Sequence, residues 1–346
     1  MIRRADDDGP VLVTGPGGFL GAAIVAALLA RGRCVRGFSR SEPPGLTRLN
    51  VAFVRGDVAD AEALDRACRG AAAVFHTAAK PPPWGRRRDY ERTNVLGTRN
   101  VIAACRRHGV RRLVYTSSPS VVFHGGDLEG VDESHPYPAR HLADYPATKA
   151  EAERAVVAAG KEGGLRTIVL RPHQIWGPGD PHFLPRLVRR ARRLRRIGDG
   201  HNRVDTTFID DAAEAHLLAE QALAANASLS GRIFFISGGD PVPAWEMIDR
   251  LLGAAGFPPV RGAMSLAAAR RLGRACEWIW RGLALPGEPP LTRFVATALG
   301  TSHWFDIAAA RRDLGYRPAV SIAEGLERLA RRLREEAGHR GHGGTP

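Results

Sequence analysis

Short apolar runs alternate with longer stretches of helical periodicity over the first two thirds of the chain. The runs are rich in Val and Ile and contain few polar positions, which is typical of strands that are buried on both faces of a parallel sheet. The strands that this pattern predicts are residues 11–13, 34–38, 51–54, 73–76, 112–117, 167–170 and 233–236.

The stretches between these runs have the 3.6-residue periodicity of amphipathic or buried helices. The predicted helices are residues 19–30, 61–68, 90–108, 146–159 and 211–223. Alternation of strand and helix produces right-handed crossovers, so we predict an α/β fold with a doubly wound parallel sheet of the Rossmann type. A ligand would then bind outside the carboxyl ends of the strands.

The first predicted strand leads directly into a glycine-rich turn and an uncharged helix. Gly15, Gly18 and Gly21 have the GxxGxxG spacing. The first permits a tight turn, the second lets the backbone approach a pyrophosphate, and the third lets the helix pack closely on the sheet. The first amides of the helix would face the phosphates, so we predict a dinucleotide site. The other contacts predicted in this turn are Gly17, Phe19 and Leu20.

Beyond residue 176 the alternation weakens and helical segments dominate. These segments are residues 183–194, 243–255, 266–283, 307–314 and 322–335. We therefore predict a smaller, mainly helical C-terminal substrate lobe. The dinucleotide-binding domain would comprise residues 1–175, with 203–237 returning to it. The substrate lobe would comprise 176–202 and 238–336, and 337–346 would form a flexible tail.

The end of the second strand should select the cofactor, because an acid there binds the ribose 2′-hydroxyl of NAD whereas arginine suits the 2′-phosphate of NADP. Ser39 and Arg40 stand at this place without an acid, which favours NADP; NAD remains an alternative, with Arg40 then an ordinary surface arginine. After the third strand, Asp57 and Val58 are expected at the adenine. Asp57 could equally cap the helix that follows Asp60.

A Tyr–Lys pair in the fourth predicted helix carries the candidate chemistry. Tyr145 and Lys149 have the YxxxK spacing, which places both on one helix face, and Pro146 suits the first helical position. A nearby ammonium should lower the pKa of the phenol, so that it can exchange a proton with an alkoxide. Ser118, with Ser117 as second choice, ends the preceding strand and could hold the substrate oxygen.

Together these motifs resemble the extended short-chain dehydrogenase/reductase family. The segments that carry the resemblance are residues 14–21, 57, 76–79, 94–98, 115–118, 145–149, 170–172, 175–179 and 208–211. The resemblance implies that Ala78 and Ala79 line the cofactor and that Asn94 supports the active site. It also implies that the segment from Pro172 to Ile175 passes near the nicotinamide.

Further segments resemble the 3β-hydroxysteroid dehydrogenase branch, which includes sterol 4α-carboxylate 3-dehydrogenases and bacterial 2-alkyl-3-ketoalkanoate reductases. These segments are residues 119–123, 132–138, 285–294, 303–306 and 313–318. The branch implies an NAD(P)-dependent oxidoreductase that interconverts a secondary alcohol and a ketone. We expect reduction of a 2-alkyl-3-ketoalkanoate or oxidation of a 3β-hydroxysteroid. A keto acid would require an arginine for its carboxylate, which the sequence does not identify.

An apolar substrate needs an apolar pocket, for which the candidate residues are Lys80, Trp84, Ser120, Trp176 and Phe183. Two rival interpretations are a nucleotide-sugar epimerase or dehydratase of the same fold and a non-catalytic NADP-sensing or polyanion-binding protein. The second rival does not need Tyr145 and Lys149, whose presence counts against it.

Composition changes this interpretation little. The net charge is +14, but 47 of the 50 basic residues are arginine and few aromatic residues lie among them, so a solvated surface is favoured over nucleic-acid binding. Four cysteines without CxxC spacing predict neither a metal site nor disulfides, in keeping with a cytoplasmic location. Residues 266–283 are amphipathic and would pack on their own lobe or, alternatively, lie peripherally on a membrane. We expect a homodimer.

Overall fold

A computed structural model describes residues 9–49 and 51–342. Its strands are β1 (Val11–Thr14), β2 (Val35–Ser39), β3 (Ala52–Arg55), β4 (Ala73–His76), β5 (Arg112–Thr116), β6 (Leu128–Val131), β7 (Arg166–Pro172), β8 (Ile175–Trp176), β9 (Arg196–Ile197), β10 (Arg203–Val204), β11 (Thr207–Phe208), β12 (Arg232–Ile236), β13 (Val242–Pro243), β14 (Ala263–Met264) and β15 (His303–Phe305).

The α-helices of the described residues are α1 (Phe19–Ala30), α2 (Ala61–Cys68), α3 (Arg87–Tyr90), α4 (Gly97–Arg107), α5 (Asp144–Lys161), α6 (Phe183–Arg190), α7 (Ile209–Ala225), α8 (Ala244–Ala254), α9 (Leu266–Gly282), α10 (Arg293–Leu299) and α11 (Ile322–His342). None of the helices in residues 9–49 and 51–342 is long and apolar enough to cross a membrane.

Seven parallel strands form the central sheet, in the order β12-β7-β5-β4-β1-β2-β3. These are the seven strands that the apolar runs predict, so the doubly wound fold is confirmed. Strand order reverses between β1 and β4, and the carboxyl ends of both strands meet at the same edge. A crevice for a ligand is expected at such a switch point.

Helices cover both faces of the sheet, which explains the uniformly apolar strands. Alternate side chains of β1 enter different cores: Val11 and Val13 pack with one buried cluster and Leu12 with the other. The first cluster includes Ile24 of α1 and the second includes Val101 of α4. Because every side chain of β1 is buried, the strand shows no polar alternation.

The predicted helix 90–108 is interrupted in the structure. Helix α3 continues into a π-helical turn, Glu91–Leu96, and then into α4. A π-turn inserts an extra residue and is frequent at functional sites. Here it carries Asn94, one of the predicted active-site residues. Periodicity alone does not reveal this insertion, because the hydrophobic face continues on both sides of it.

Helices dominate beyond residue 176, but three short strands there join β6 in a small mixed sheet, in the order β13-β10-β15-β6, that the sequence did not predict. Its strands are two to four residues long, too short for a visible period. Within segment 203–237, α7 packs on α1 and β12 pairs with β7. Helix α11 extends to His342, into the segment 337–346 that was predicted to be a flexible tail. Residues 343–346 of that prediction lie outside the described residues.

Candidate active site

The turn between β1 and α1 has the geometry that a dinucleotide requires. Gly15 has a φ of 72°, in the left-handed region that favours glycine, and its amide donates to the carbonyl oxygen of Phe38 at 2.9 Å. A Cβ atom on Gly21 would lie 2.1 Å from the carbonyl oxygen of Gly15, so only glycine fits. Gly18 is the N-cap of α1 and supplies no side chain to its first amides, and no acid occupies the first turn. These amides therefore suit a phosphate.

The other residues predicted to contact the dinucleotide in this turn differ in their burial. Leu20 is buried and Phe19 packs partly against the core, so their contribution to a ligand is the start of the helix rather than a side chain. Gly17 is exposed beside Pro43, whose Cγ atom would be 2.7 Å from a Cβ atom on this glycine.

The residues predicted to contact the ribose and the adenine lie at the ends of β2 and β3. The hydroxyl of Ser39 donates to the carbonyl oxygen of Ser41 at 2.7 Å, and Arg40 is exposed. Asp57 accepts from the amide of Ala59 at 2.9 Å and pairs with Arg92 at 3.2 Å. The pKa of Asp57 is lowered because these hydrogen bonds and the arginine outweigh the effect of burial.

The helix-cap interpretation of Asp57 is wrong. Asp60 itself caps α2 and accepts from the amides of Glu62 and Ala63. Val58 is buried, and its carbonyl oxygen accepts from the side-chain amide of Asn100 at 3.1 Å. The adenine role of both residues stays a prediction.

A hydrogen-bond network joins the end of β4 to the helix that carries the Tyr–Lys pair. Asn94 accepts from the amide of Lys80 at 2.8 Å and donates to the hydroxyl of Thr148 at 3.2 Å. The hydroxyl of Thr14 accepts from the amide of Ala78 at 3.2 Å, and Ala79 follows, half-buried. Asn94 thus couples this loop to the residue next to Lys149, as a supporting residue should.

Tyr145 and Lys149 lie one turn apart on α5, which begins at Asp144. Pro146 therefore occupies the third helical position and not the first, as the sequence suggested. The Nζ atom of Lys149 donates to the carbonyl oxygen of Thr116 at 2.5 Å and lies 4.2 Å from the centroid of the Tyr115 ring. The turn spacing thus brings both groups to the end of β5.

Burial sets the titration of this pair in opposite directions. It raises the pKa of Tyr145 to about 12, against a smaller lowering by a hydrogen bond with Ser118. It lowers the pKa of Lys149 to about 7, partly offset by the charge of Glu153. The sequence led us to expect a lowered tyrosine pKa, and the structure shows the opposite because the phenol is desolvated.

The hydroxyl cluster after β5 has distinct roles for its three serines. Ser118 accepts from the amide of Ser120 at 3.2 Å as an N-cap, and the two hydroxyl oxygens are 2.9 Å apart. The hydroxyl of Ser117 is buried without a partner among the described residues. Of the three, Ser118 is the serine whose hydrogen bond lowers the pKa of Tyr145, and its hydroxyl also lies within hydrogen-bond distance of that of Ser120.

A buried ion pair one turn from Lys149 is a feature that the sequence analysis missed. Glu153 lies one turn beyond Lys149 and pairs with Arg171 of β7, both almost wholly buried. The phenol of Tyr137 also donates to Glu153, at 2.7 Å. The repeated four-residue spacing from Tyr145 to Glu153 was a visible signal, but its partner on a distant strand was not.

A cleft of about 390 Å³ opens at Tyr145. Trp84, Tyr90 and Phe294 are among its aromatic lining residues, and the ring of Tyr90 stands edge-on to that of Tyr145 at 6.2 Å. Lys80 lies beside this wall, pairing with Asp89 at 3.5 Å. The predicted pocket residue Trp84 is therefore placed in the same cleft as the candidate proton donor.

Two other pocket candidates are corrected by the structure. Trp176 is buried in the core, where its indole nitrogen donates to the hydroxyl of Thr206 at 2.9 Å and its ring packs on Phe208. Phe183 begins α6 and packs partly against the same core, away from the lining of the cleft. Both are apolar side chains that the lobe needs for its own packing.

The segment expected near the nicotinamide ends a central strand. Pro172 is buried at the end of β7, opposite Ile236, and Ile175 is half-buried and pairs with Thr207. Both therefore lie at the carboxyl edge of the sheet, on the same side as the glycine turn.

Residues 12–264 match the model of the 3-beta hydroxysteroid dehydrogenase/isomerase family. The chain is 52% identical to a 2-alkyl-3-oxoalkanoate reductase of Stenotrophomonas maltophilia over 92% of its length and 98% of the relative. It is 33% identical to the human sterol-4-alpha-carboxylate 3-dehydrogenase, decarboxylating, over 93% of its length and 87% of that protein. A solved structure of MoeE5 with UDP-glucose and NAD is 28% identical, with a TM-score of 0.73 over 95% of this chain and all of MoeE5.

Proposed function

Since the chain belongs to the 3-beta hydroxysteroid dehydrogenase/isomerase family and is an NAD(P)-dependent oxidoreductase, we propose that it reduces a 2-alkyl-3-oxoalkanoate to the secondary alcohol. The observation that carries this proposal is the position of Tyr145 in an aromatic-walled cleft, in a chain that resembles such a reductase along almost its whole length.

The active-site residues would divide the reaction between them. Tyr145 donates the proton to the reduced carbonyl oxygen, and Ser118 orients that oxygen. A phenol whose pKa is raised to about 12 holds its proton at neutral pH, which suits the reducing direction. Lys149 lies one turn further along α5, where its Nζ atom donates to the carbonyl oxygen of Thr116. The turn at Gly15 and the first amides of α1 would hold NADPH, which would supply the hydride when bound.

The experiment is a substrate panel with the full chain. We expect NADP-linked turnover of a 2-alkyl-3-hydroxyalkanoic acid, a stable substrate for the reverse direction, at a kcat/KM above that of a 3β-hydroxysteroid. If the chain oxidised only the steroid, the proposed substrate class would be wrong and a 3β-hydroxysteroid would take its place. A thermal shift with UDP-sugars and no turnover of either alcohol would favour the epimerase alternative.

We propose NADP as the preferred cofactor because exposed Arg40 follows Ser39 at the end of β2. Replacing Ser39→Asp introduces the acid that binds the ribose 2′-hydroxyl and repels a 2′-phosphate. The ratio of kcat/KM for NADPH over NADH should fall at least about tenfold, which corresponds to about 1.4 kcal/mol. An unchanged ratio would contradict the assignment.

We also propose that α9 contacts an anionic membrane surface. Leu272 and Ile279 of this helix and Leu283, which follows it, are exposed on one side, and Trp278 is 77% exposed. The helix carries four arginines, and its one acid, Glu277, is buried and paired with Arg293. An apolar stripe flanked by cations matches a surface of anionic lipids.

Vesicle flotation tests this contact. Vesicles with phosphatidylglycerol should retain the full chain, and the double variant Ile279→Ser, Leu283→Ser should release it. The matched control is Leu49→Ser, which removes an exposed leucine outside α9. Equal binding of all three proteins would contradict the proposal.

We also propose that the chain forms a homodimer. Analytical ultracentrifugation should then give twice the chain mass of 37.4 kDa, and a monomer would contradict the proposal.

A further inference from the structure

Four guanidinium groups line the cleft that contains Tyr145, namely those of Arg87, Arg140, Arg281 and Arg293. A 3-oxo acid carries its carboxylate two bonds from the ketone carbon, so a cation in this cleft would serve it. The proposed function gives such a cation a role but does not identify it.

Two of the four arginines are already neutralised by carboxylates. Arg87 pairs with Glu91 at 2.7 Å. Arg293 pairs with Glu277 at 2.8 Å, and its backbone amide donates to the same carboxylate at 2.7 Å. A guanidinium that is compensated in this way offers a substrate anion little net attraction.

The other two arginines, Arg281 and Arg140, differ in their contacts. Arg281 lies in the last turn of α9, with its guanidinium carbon 5.0 Å from the centroid of the Trp84 ring. Among residues 9–49 and 51–342, no carboxylate forms an ion pair with Arg281. Stacking on an aromatic face positions a guanidinium while leaving its N–H edge available for a bidentate contact. Arg140 lies on the exposed loop before α5.

We propose that Arg281, positioned by Trp84, binds the carboxylate of the substrate and gives the enzyme its preference for acids over neutral ketones. This inference rests on the proposed function and adds a specificity residue to it. Trp84, predicted as a pocket wall, thereby gains a second role as the platform of that arginine. Pre-positioning matters because ordering a free arginine would consume part of the binding energy.

The test compares a 2-alkyl-3-hydroxyalkanoic acid with its methyl ester in NADP-linked oxidation by the full chain. The quantity is the ratio of kcat/KM for the acid to that for the ester. Arg281→Gln should lower this ratio about 10- to 100-fold, the range for a charged hydrogen bond. Arg281→Lys should restore part of it, and Trp84→Leu should lower it by a smaller factor because the platform is lost.

Two further variants make the test decisive. Arg334→Gln, which removes an exposed arginine of α11 that does not line the cleft, should leave the ratio unchanged. A selective fall in Arg140→Gln with none in Arg281→Gln would overturn the assignment, as would an equal ratio in Arg281→Gln and the unsubstituted chain. If the unsubstituted chain oxidises neither acid nor ester, the proposed function itself fails, and this inference fails with it.

Discussion

Helices α5 and α9 both contribute to the cleft at Tyr145, yet their functional side chains are held in different ways. Lys149 and Glu153 of α5 are buried and bonded to groups on β5 and β7. The polar and apolar side chains of α9 are mostly exposed, with Ala269, Gly273 and Glu277 as its buried residues.

This difference in burial predicts different effects of substitutions on the two helices. Buried groups that share partners act as a unit, so a change in one should alter the others. Exposed groups are screened by salt and solvent, so their replacement should change the free energy of unfolding little. We therefore expect changes on α5 to alter the reaction, and changes on α9 to alter substrate preference without loss of the fold.

The largest effect is expected for Tyr145→Phe, which removes the proton donor and keeps the ring. General acid catalysis contributes about 10²- to 10⁴-fold, so kcat should fall by that factor. Turnover of the hydroxy acid measures it, and titration of NADPH binding checks that the variant is folded. A kcat within about threefold of the unsubstituted chain would remove Tyr145 from the mechanism.

The next effect concerns the ion pair behind the site. Glu153→Gln leaves the buried Arg171 without its counter-charge, which should lower the free energy of unfolding by about 3–5 kcal/mol. Glu151→Gln is the matched control on the same helix, because its pair with Arg99 is exposed and worth about 0–1 kcal/mol. Urea denaturation compares the two, and equal losses would contradict the distinction between buried and exposed sides.

The buried ammonium predicts a smaller, pH-dependent effect. Burial lowers the pKa of Lys149 to about 7 from its ordinary 10.5. Between these values the unfolded chain holds a proton that the folded chain has released, so unfolding takes up a proton. Stability should therefore rise with pH from about 7 to 10, by at most about 1.4 kcal/mol per pH unit. Lys149→Met should remove this slope; parallel profiles of the two proteins would refute the burial argument.

The smallest effect is expected on α9. Trp278→Ala truncates a side chain that is 77% exposed, so the free energy of unfolding should change by less than about 0.5 kcal/mol. Trp176→Ala removes a buried ring and should cost about 3–5 kcal/mol. Thermal denaturation of both variants measures the contrast. A large loss in Trp278→Ala would show that α9 packs more tightly than its exposure indicates.

Local sequence signals were sufficient for the central sheet and for the elements that carry the candidate site. The glycine turn and the spacing of Tyr145 and Lys149 are short-range patterns, since the conformation of a few residues decides them. The seven central strands were also visible, because burial on both faces leaves a continuous apolar run.

The remaining features depend on residues that are distant in the chain. Arg171 meets Glu153, and Arg281 meets Trp84, only after the sheet and the lobe have formed. Burial of the Tyr145 phenol is likewise a property of the packed structure, so its raised pKa could not be read from the neighbouring lysine. Trp176 is of a residue type that often lines apolar pockets, but it packs in the core.

A crystal structure of the full chain with NADP⁺ and a 2-alkyl-3-hydroxyalkanoic acid tests the central claim most directly. The account predicts the pyrophosphate at the first amides of α1 and the substrate hydroxyl within hydrogen-bond distance of both the Tyr145 phenol and the Ser118 hydroxyl. A substrate hydroxyl that faces neither group, or a dinucleotide bound away from the turn at Gly15, would contradict it.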